Sequence, residues 1–145
     1  MNTLLRNSKL GSTVFILFCF FLSNLALAQS GTVTSGANGN WNADATWVNI
    51  NITRSGTISC STGSTTVTGS GTLFLTELTV GSVIQRTNGN AIGTVAAINS
   101  NTSLTLTTNA GSNQTSQAYR IISGPPSPVD TVIIDNNDDV TVNLN

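Results

Sequence analysis

The sequence predicts an all-β protein whose central part is a small antiparallel barrel or a curled β-sandwich. Over residues 65–108, short β-branched runs alternate with two- to four-residue breaks of Gly, Asn and Ser, which is typical of an antiparallel meander. Only 8% of the residues are charged, and the remainder is rich in Thr, Ser, Asn and Gly. About six short strands in one stretch hide their edges by curling or closing.

Residues 1–28 are predicted to be a secretory signal peptide. Arg6 and Lys9 precede an apolar run of nine residues that begins at Val14, and small residues then lead to a cleavage site between Ala28 and Gln29. The alternative is a membrane anchor, but a span needs roughly 20 apolar residues and this run is shorter. We therefore expect a secreted protein, at the cell surface or in the medium, without membrane attachment after cleavage.

The first segment after the leader, residues 29–49, contains a predicted strand at Thr32-Val-Thr and a loop from Ser35 to Asn40. Trp41 and Trp47 then flank a polar turn. Because each large aromatic side chain buries ~150–250 Å², we expect the pair to cap the open end of a hydrophobic core. The alternative is a platform on which a carbohydrate stacks.

The central module is predicted over residues 50–123. Ile50 and Ile52, then Ile58 and Cys60, alternate with polar residues and indicate two strands joined by the turn 54–56. Residues 72–78 fit either a helical turn or an extended segment, and an irregular loop or a single 3₁₀-like turn is favoured. The predicted core comprises Val67, Phe74, Leu78, Val83, Ile92, Val95, Ile98, Leu104, Leu106, Tyr119 and Ile121.

Glycines define three further features of this module. Residues 80–86 form a predicted strand that bends at Gly81. Asn88-Gly89 predicts a tight type I′ hairpin turn, since both residues tolerate left-handed dihedrals. Ile92 and Val95 lie three residues apart, so the returning strand is expected to carry a β-bulge near Gly93. Residues 109–114 are a predicted loop and residues 118–122 a final strand.

Residues 124–145 form a linker and the incomplete second half of another unit. Gly124-Pro-Pro-Ser-Pro128 predicts a stiff, extended linker. Two strands, 132–134 and 140–144, surround an acidic turn, and two strands alone are not stable. We therefore expect this chain to be a fragment of a longer polypeptide, which would be its main partner.

Two family resemblances cover most of the chain after the leader. Asn38-Gly-Asn-Trp-Asn-Ala-Asp-Ala-Thr-Trp47 and Val129-Asp-Thr-Val-Ile-Ile-Asp-Asn-Asn-Asp-Asp-Val-Thr-Val142 together resemble the N-terminal opening of large secreted bacterial repetitive, adhesin-like proteins. That resemblance implies a parallel β-helix, here truncated, and often type IX sorting. The stretch Val67-Thr-Gly-Ser-Gly-Thr-Leu-Phe-Leu-Thr-Glu-Leu-Thr-Val-Gly-Ser-Val-Ile84 is similar to small β-modules of phage tail and bacterial surface proteins, with Ser82 in place of their usual Asp.

The resemblances imply a domain order in which the small β-module is inserted into the opening strands of the β-helix-like unit. The leader is 1–28, the first half of the capping unit 29–49, the inserted module 50–123, and the linker with the second half 124–145. Neither resemblance carries catalytic or cofactor-binding residues with it.

The residue inventory argues against catalysis. Histidine is absent, no lysine follows the leader, and Glu77 is the single glutamate, so histidine-dependent nucleophiles, ordinary zinc sites and a local glycosidase pair are not expected. Asp135, Asn137 and Asp139 fit the first half of a Ca²⁺ loop, but the central Gly and the distal Glu are missing. A polar turn is the favoured interpretation of this segment, and a Ca²⁺ site is the weaker one.

Charge and cysteine content exclude further classes. After the leader, three arginines against six acidic residues give no basic patch for nucleic acid or anionic lipid. A single cysteine after the leader, Cys60, forms no internal disulfide and lacks a neighbouring cation that would favour the thiolate, so it is expected to be a small packing residue.

These observations favour a non-catalytic, secreted structural or cell-surface module that caps, spaces and takes part in adhesion. One alternative is a carbohydrate- or receptor-binding module with Trp41 and Trp47 at the contact. Another is the front part of a larger polysaccharide-active enzyme.

Overall fold

The computed structural model describes residues 27–43, 46–48, 50–135 and 137–142. Most of the predicted leader, residues 1–26, and the end of the last predicted strand, residues 143–145, lie outside the described residues. The regular secondary structure of the described part is almost wholly strand, with one short helix, which confirms the all-β class. The strands are β1 (Thr32–Ser35), β2 (Gly39–Asn40), β3 (Trp47–Val48), β4 (Ile52–Thr53), β5 (Thr57–Cys60), β6 (Thr66–Ser70), β7 (Val83–Arg86), β8 (Ala91–Ser100), β9 (Ser103–Leu106), β10 (Gln114–Gln117), β11 (Tyr119–Ser123), β12 (Thr131–Ile133) and β13 (Val140–Thr141), and the helix is α1 (Phe74–Glu77).

Strands β4 to β11, which we call the module, form one eight-stranded antiparallel arrangement in the order β10-β5-β6-β9-β8-β7-β11-β4. No ladder among the described residues joins its outer strands β10 and β4, so of the two predicted forms, a small barrel or a curled sandwich, a closed barrel is not formed. The sheet is nevertheless strongly curled. β4 and β5 are consecutive in the chain, as are β10 and β11, yet β4 pairs with β11 at one end of the sheet and β5 pairs with β10 at the other. Curling lets both ends of the sheet enclose a single core.

The module core largely matches the predicted one. Phe74 and Tyr119 lie at its centre in an edge-to-face contact with ring centroids 5.9 Å apart. Ile84 is fully buried and Val83 is only half-buried. The prediction that Val83 is a core residue is therefore wrong, and the neighbouring Ile84 lies in the core instead. The reason is that Gly81 lies in a turn rather than within the strand, and alternation therefore begins at the buried Ser82. Ile98 packs against the core from a partly buried position.

The hairpin between β7 and β8 forms at the predicted site with a different turn. Gly89 has φ of 102°, whereas Asn88 is not among the described residues with positive φ, so the type I′ turn is wrong. The Gly89 N–H donates to Arg86 O at 2.9 Å and the Arg86 N–H donates to Asn90 O at 2.9 Å. This is a three-residue loop in which one left-handed glycine is enough.

The predicted bulge is confirmed next to Gly93. Ile84 pairs with Gly93 and Gln85 with Ala91, which leaves Ile92 as the extra residue. Gly93 has φ of 155°, a conformation that L side chains rarely adopt. The bulge turns Ile92 into the core together with Val95, which strict alternation would have prevented.

Helix α1 is one α-helical turn, rather than the favoured irregular loop or single 3₁₀-like turn. The Leu78 N–H donates to Phe74 O at 3.1 Å, and Phe74 and Leu78 are both buried as predicted. Glu77, on the same turn, is buried as well. The turn therefore carries one carboxylate into the interior beside two apolar side chains.

Strands β1, β2, β3, β12 and β13 form a smaller region, which we call the flanking unit. β1 pairs with β12 in parallel, with Val33 opposite Val132, and β2 pairs with β13 in parallel, with Gly39 opposite Val140. On its other edge β1 pairs with β3 in antiparallel. The chain segments on either side of the module are thus hydrogen-bonded to each other.

The linker 124–128 packs against the module instead of extending freely. Gly124, Pro125, Pro126 and Ser127 are buried, and the Thr79 hydroxyl donates to Pro126 O at 3.0 Å. Its position brings the beginning of β12 back beside β1.

Candidate functional site

The two tryptophan rings do not present a pair of exposed faces on which a carbohydrate would stack. Their rings meet edge to face, with centroids 5.2 Å apart and an interplanar angle of 78°. The Trp47 indole N–H donates to Trp41 O at 2.8 Å. Trp47 is only 5% exposed and belongs to the hydrophobic core, whereas Trp41 is partly exposed. Any ligand contact at this pair therefore involves the Trp41 ring.

Two residues of the acidic segment 135–139, Asp135 and Asp139, donate their backbone N–H groups to side chains of the segment 35–38. The Asp135 N–H donates to Ser35 Oγ at 2.8 Å, and the Asp139 N–H donates to Asn38 Oδ1 at 2.6 Å. Asp135, Asn137 and Asp139 are exposed. Among the described residues, no group of three or more acidic, cysteine or histidine side chains is placed to hold a metal ion.

Cys60 lies partly buried on β5, and its thiol donates to Ser112 O at 3.4 Å. Burial raises the pKa of the Cys60 thiol above its ordinary value, which a backbone hydrogen bond from Gln114 only partly offsets. A raised pKa disfavours the nucleophilic thiolate, so the geometry is that of a packing residue.

A group of polar side chains joins the module to the flanking unit, and all of them except the half-buried Ser55 are buried. We call it the buried joint, and it consists of Arg54, Ser55, Glu77, Ser127 and Asp130. These residues come from the β4–β5 connection, from α1 and from the linker. All of them converge because β4 pairs with β11, whose chain continues directly into the linker.

The ion pair of the joint connects Arg54 to Asp130. Arg54 Nη2 lies 2.5 Å from Asp130 Oδ2, and the two side chains are 0% and 1% exposed. The same Nη2 donates to Ser127 Oγ at 3.2 Å. Nη1 donates to Gln29 O at 2.5 Å. The guanidinium therefore binds both chain segments that enter the flanking unit.

Asp130 accepts hydrogen bonds from both sides. Oδ2 accepts from the Ser127 N–H at 2.9 Å and from its hydroxyl at 2.8 Å, while Oδ1 accepts from the Gly31 N–H at 2.9 Å. Burial raises the pKa of Asp130, but the hydrogen bonds from Arg54 and Ser127 and the Arg54 charge outweigh it and leave that pKa below its ordinary value. The carboxylate is thus held ionised at the start of β1 and β12.

Glu77 forms the second acidic half of the joint and is 0% exposed. Oε2 accepts from the Ser55 N–H at 2.9 Å. Oε1 accepts from the Ser55 hydroxyl at 2.6 Å and from the Gln29 N–H at 2.5 Å. Both oxygens are therefore engaged in positioning backbone and side-chain groups of this chain.

Tyr119 lies beneath the joint. Its hydroxyl has no hydrogen-bond partner in the described part of the chain, and neither does Arg54 Nε. Burial, followed by the Glu77 charge, raises the pKa of Tyr119 well above its ordinary value, and the Arg54 charge opposes this. The phenol is therefore neutral, and the charges of the joint are those of Arg54, Glu77 and Asp130.

Sequence reasoning missed the joint because its ion pair spans 76 sequence positions and because Arg54 was assigned to a turn. One local signal was present. Ser127-Pro-Val-Asp130 is a turn in which the Ser127 N–H and hydroxyl bond the Asp130 carboxylate, and the Asp130 N–H bonds Ser127 O at 3.1 Å. A serine and an aspartate three residues apart at the end of a proline-rich linker, here Ser127 and Asp130, form the local pattern that could have indicated the joint.

Comparison with protein-family models, with curated proteins and with solved structures finds no match. None of the helices in the described residues is long and apolar enough to cross a membrane. The fold defines an all-β protein whose two strand regions are joined by buried charges.

Proposed function

We propose that this chain is a non-catalytic, secreted structural module that caps a parallel β-helix and displays the eight-stranded module at the cell surface or in the medium, for spacing and adhesion. The observation that carries this proposal is the parallel pairing of β1 with β12 and of β2 with β13. In a parallel β-helix, successive coils pair in this way, strand upon strand. The pairs β1/β12 and β2/β13 have the arrangement of two consecutive coils.

The capping role is supported by the edge strands. The second edge of β1 is occupied by β3, which runs antiparallel to it, and an occupied edge prevents further strand addition on that side. On the opposite side, β12 and β13 have no further strand partner within the described residues. Ile133 and Ile134 are 48% and 49% exposed there, and we propose that the next coil of a longer polypeptide covers them.

The spacing role is supported by the position of the module. It lies between the two proposed coils in the sequence, and the buried joint fixes its first and last segments to the flanking unit. Such an insertion leaves the coil pairing intact while holding a compact body outside it. The proposal therefore needs no catalytic group in this chain.

Hydrogen exchange tests this proposal on the chain alone and on the longer natural polypeptide. The expected result is that the amides of β12 and β13 exchange much more slowly in the longer polypeptide, because a third coil pairs with them, while the module amides are unchanged. Equal exchange of β12 and β13 in the two proteins would contradict the β-helix.

A carbohydrate- or receptor-binding function is the second candidate, favoured by the partial exposure of Trp41 beside the buried Trp47. A glycan array separates it from the structural role. Binding that is lost in Trp41→Ala but kept in the matched surface variant Leu75→Ala would favour the binding function.

A further inference from the structure

Gln29 is held at both of its backbone groups by buried side chains. Its N–H donates to Glu77 Oε1 at 2.5 Å, and its carbonyl oxygen accepts from Arg54 Nη1 at 2.5 Å. Gln29 is also the residue that follows the predicted leader cleavage site. The backbone nitrogen held by Glu77 is thus the atom that cleavage between Ala28 and Gln29 would convert into an α-amino group.

The charges of the joint are unbalanced while the leader is attached. Arg54 is matched by Asp130, and no basic side chain of the described residues lies within salt-bridge distance of Glu77. The joint then holds one positive and two negative side chains. A buried carboxylate without a cation is unfavourable even when neutral donors bind it, so one positive charge is missing beside Glu77.

We propose that Glu77 is the binding site for the α-ammonium group of the processed chain, so that removal of the leader completes the buried joint. The inference rests on the proposed secretion, because it requires cleavage between Ala28 and Gln29. Hydrolysis of that peptide bond leaves a carboxylate on Ala28 and an ammonium group on Gln29. The ammonium group places a positive charge on the Gln29 nitrogen, whose N–H already donates to Glu77 Oε1.

A competing contact disappears with the leader. The Ser55 hydroxyl has one hydrogen but two acceptors, Leu27 O at 3.0 Å and Glu77 Oε1 at 2.6 Å. Cleavage removes Leu27, and the hydroxyl then donates to Glu77 alone. Processing thus strengthens the hydrogen bonding of Glu77 as well as its charge balance.

The bond between the α-ammonium and Glu77 has a defined pH dependence. The charged groups that face it are Glu77, Arg54 and Asp130, and Tyr119 stays neutral because burial and Glu77 raise its pKa. An α-amino group titrates at about 7.7–8.0 when unperturbed, and the Glu77 carboxylate raises that pKa in the folded chain. The stabilisation is therefore fully present below the unperturbed value and is lost as the pH rises through the folded one.

The test compares a chain that starts at Gln29 with one that starts at Leu27, each with and without Glu77→Gln. With Glu77 present, the Gln29 start is expected to melt about 3–6 °C higher than the Leu27 start, as a charge-assisted bond in a chain of this size would give. The difference should become smaller above the folded α-amino pKa, where only the Leu27 contact of Ser55 distinguishes the two starts, and in Glu77→Gln. Equal melting of the two starts with Glu77 present, or an unchanged difference in Glu77→Gln, would overturn the proposal.

A second comparison does not depend on the folding of Glu77→Gln. An N-terminal glutamine cyclises when its neutral α-amine attacks its own side-chain amide carbon and ammonia leaves. The cyclised chain keeps an N–H at this position but has no charge, so it should melt below the free Gln29 start. Cyclised and free chains that melt together would reject the proposal.

The N-terminus of the secreted protein distinguishes a failure of the Glu77 site from a failure of the proposed secretion. An intact mass that still includes the leader contradicts the secretion on which the proposed function rests, whereas a mass that begins at another residue contradicts this inference alone. A mass that begins at Gln29, combined with no dependence of melting on the N-terminal charge, rejects the Glu77 site alone and leaves the proposed function standing.

Discussion

The module and the flanking unit bury their apolar side chains to different degrees. In the module, Phe74 and Tyr119 are completely buried at the centre of eight strands. In the flanking unit, Trp47 is buried, but Trp41 and Val132 are only partly covered and Ile133 is exposed. Two- and three-stranded ladders cover one side of a core and are marginal alone. The flanking unit therefore depends on the module, and two connections join them: the buried joint, and a shared apolar core in which Val33 and Trp47 belong to the same cluster as Phe74.

The largest effect is expected from the loss of the Phe74 ring. Phe74→Ala should reduce the free energy of unfolding by about 3–5 kcal/mol, because it leaves a cavity in the module core. Leu75→Ala, on the same helical turn but 54% exposed, should change it by less than about 0.5 kcal/mol. Urea unfolding followed by tryptophan fluorescence is informative because both tryptophans lie in the flanking unit.

If the flanking unit depends on the module, the fluorescence midpoint falls with Phe74→Ala although the substitution lies in the module and not in the flanking unit. An unchanged fluorescence midpoint alongside loss of the near-ultraviolet signal of Tyr119 would show that the two regions are independent.

The next largest effect should come from separating the charges of the joint. Arg54→Met and Asp130→Asn should each cost about 3–5 kcal/mol, because either change leaves the partner buried without its counter-charge. The double variant should cost much less than the two single ones together. Arg120→Met is the matched control, since Arg120 bonds Gln85 Oε1 from a half-buried position and its loss should cost about 1 kcal/mol.

Calorimetry sharpens this test of the joint. The natural chain is expected to unfold in one transition and Arg54→Met in two, with the flanking unit melting first. Additive costs in the double-mutant cycle would contradict the coupling between Arg54 and Asp130.

The sequence predicted the module better than the joint, for a physical reason. Core positions such as Leu104 and Leu106 follow from alternation alone, and the site of the β7–β8 hairpin follows from one Asn-Gly pair. Strand β10 was missed because Gln-Thr-Ser-Gln has no apolar alternation and pairs with β5 only through its backbone. A strand that contributes hydrogen bonds but no core residue leaves no periodic signal.

The joint left even less of a pattern in the sequence. Glu77 was considered only as a catalytic carboxylate, and Arg54 only as part of a turn. Their burial depends on contacts with residues 29 and 130, which only the folded topology brings near. The parallel pairing of β1 with β12 likewise joins residues 99 positions apart and was not predicted, because the family resemblance implied only that the two flanking segments belong to one unit.

A smaller and more local effect is expected in the flanking unit. Trp47→Ala should cost about 3 kcal/mol, at the low end for a buried tryptophan, because the partly exposed Trp41 ring can move into the space. Hydrogen exchange should show faster exchange in β1, β3 and β12, while β6 and β9 of the module stay protected. Trp41→Ala is the matched control and should have the smaller effect. Equal loss of protection in the module would mean that it depends on the flanking unit as well.

The smallest effect concerns the boundary between the apolar core and the joint. Tyr119→Phe should change the free energy of unfolding by less than about 1 kcal/mol, with a slight stabilisation, because the variant removes a buried hydroxyl without a described partner. The edge-to-face contact with Phe74 is retained. Tyr119→Leu is the control that removes this ring contact and should be clearly destabilising. A loss of more than about 2 kcal/mol in Tyr119→Phe would be the cost of a broken buried hydrogen bond. Hydrogen bonding would then extend from the buried joint into the module, and the module core would not be purely apolar.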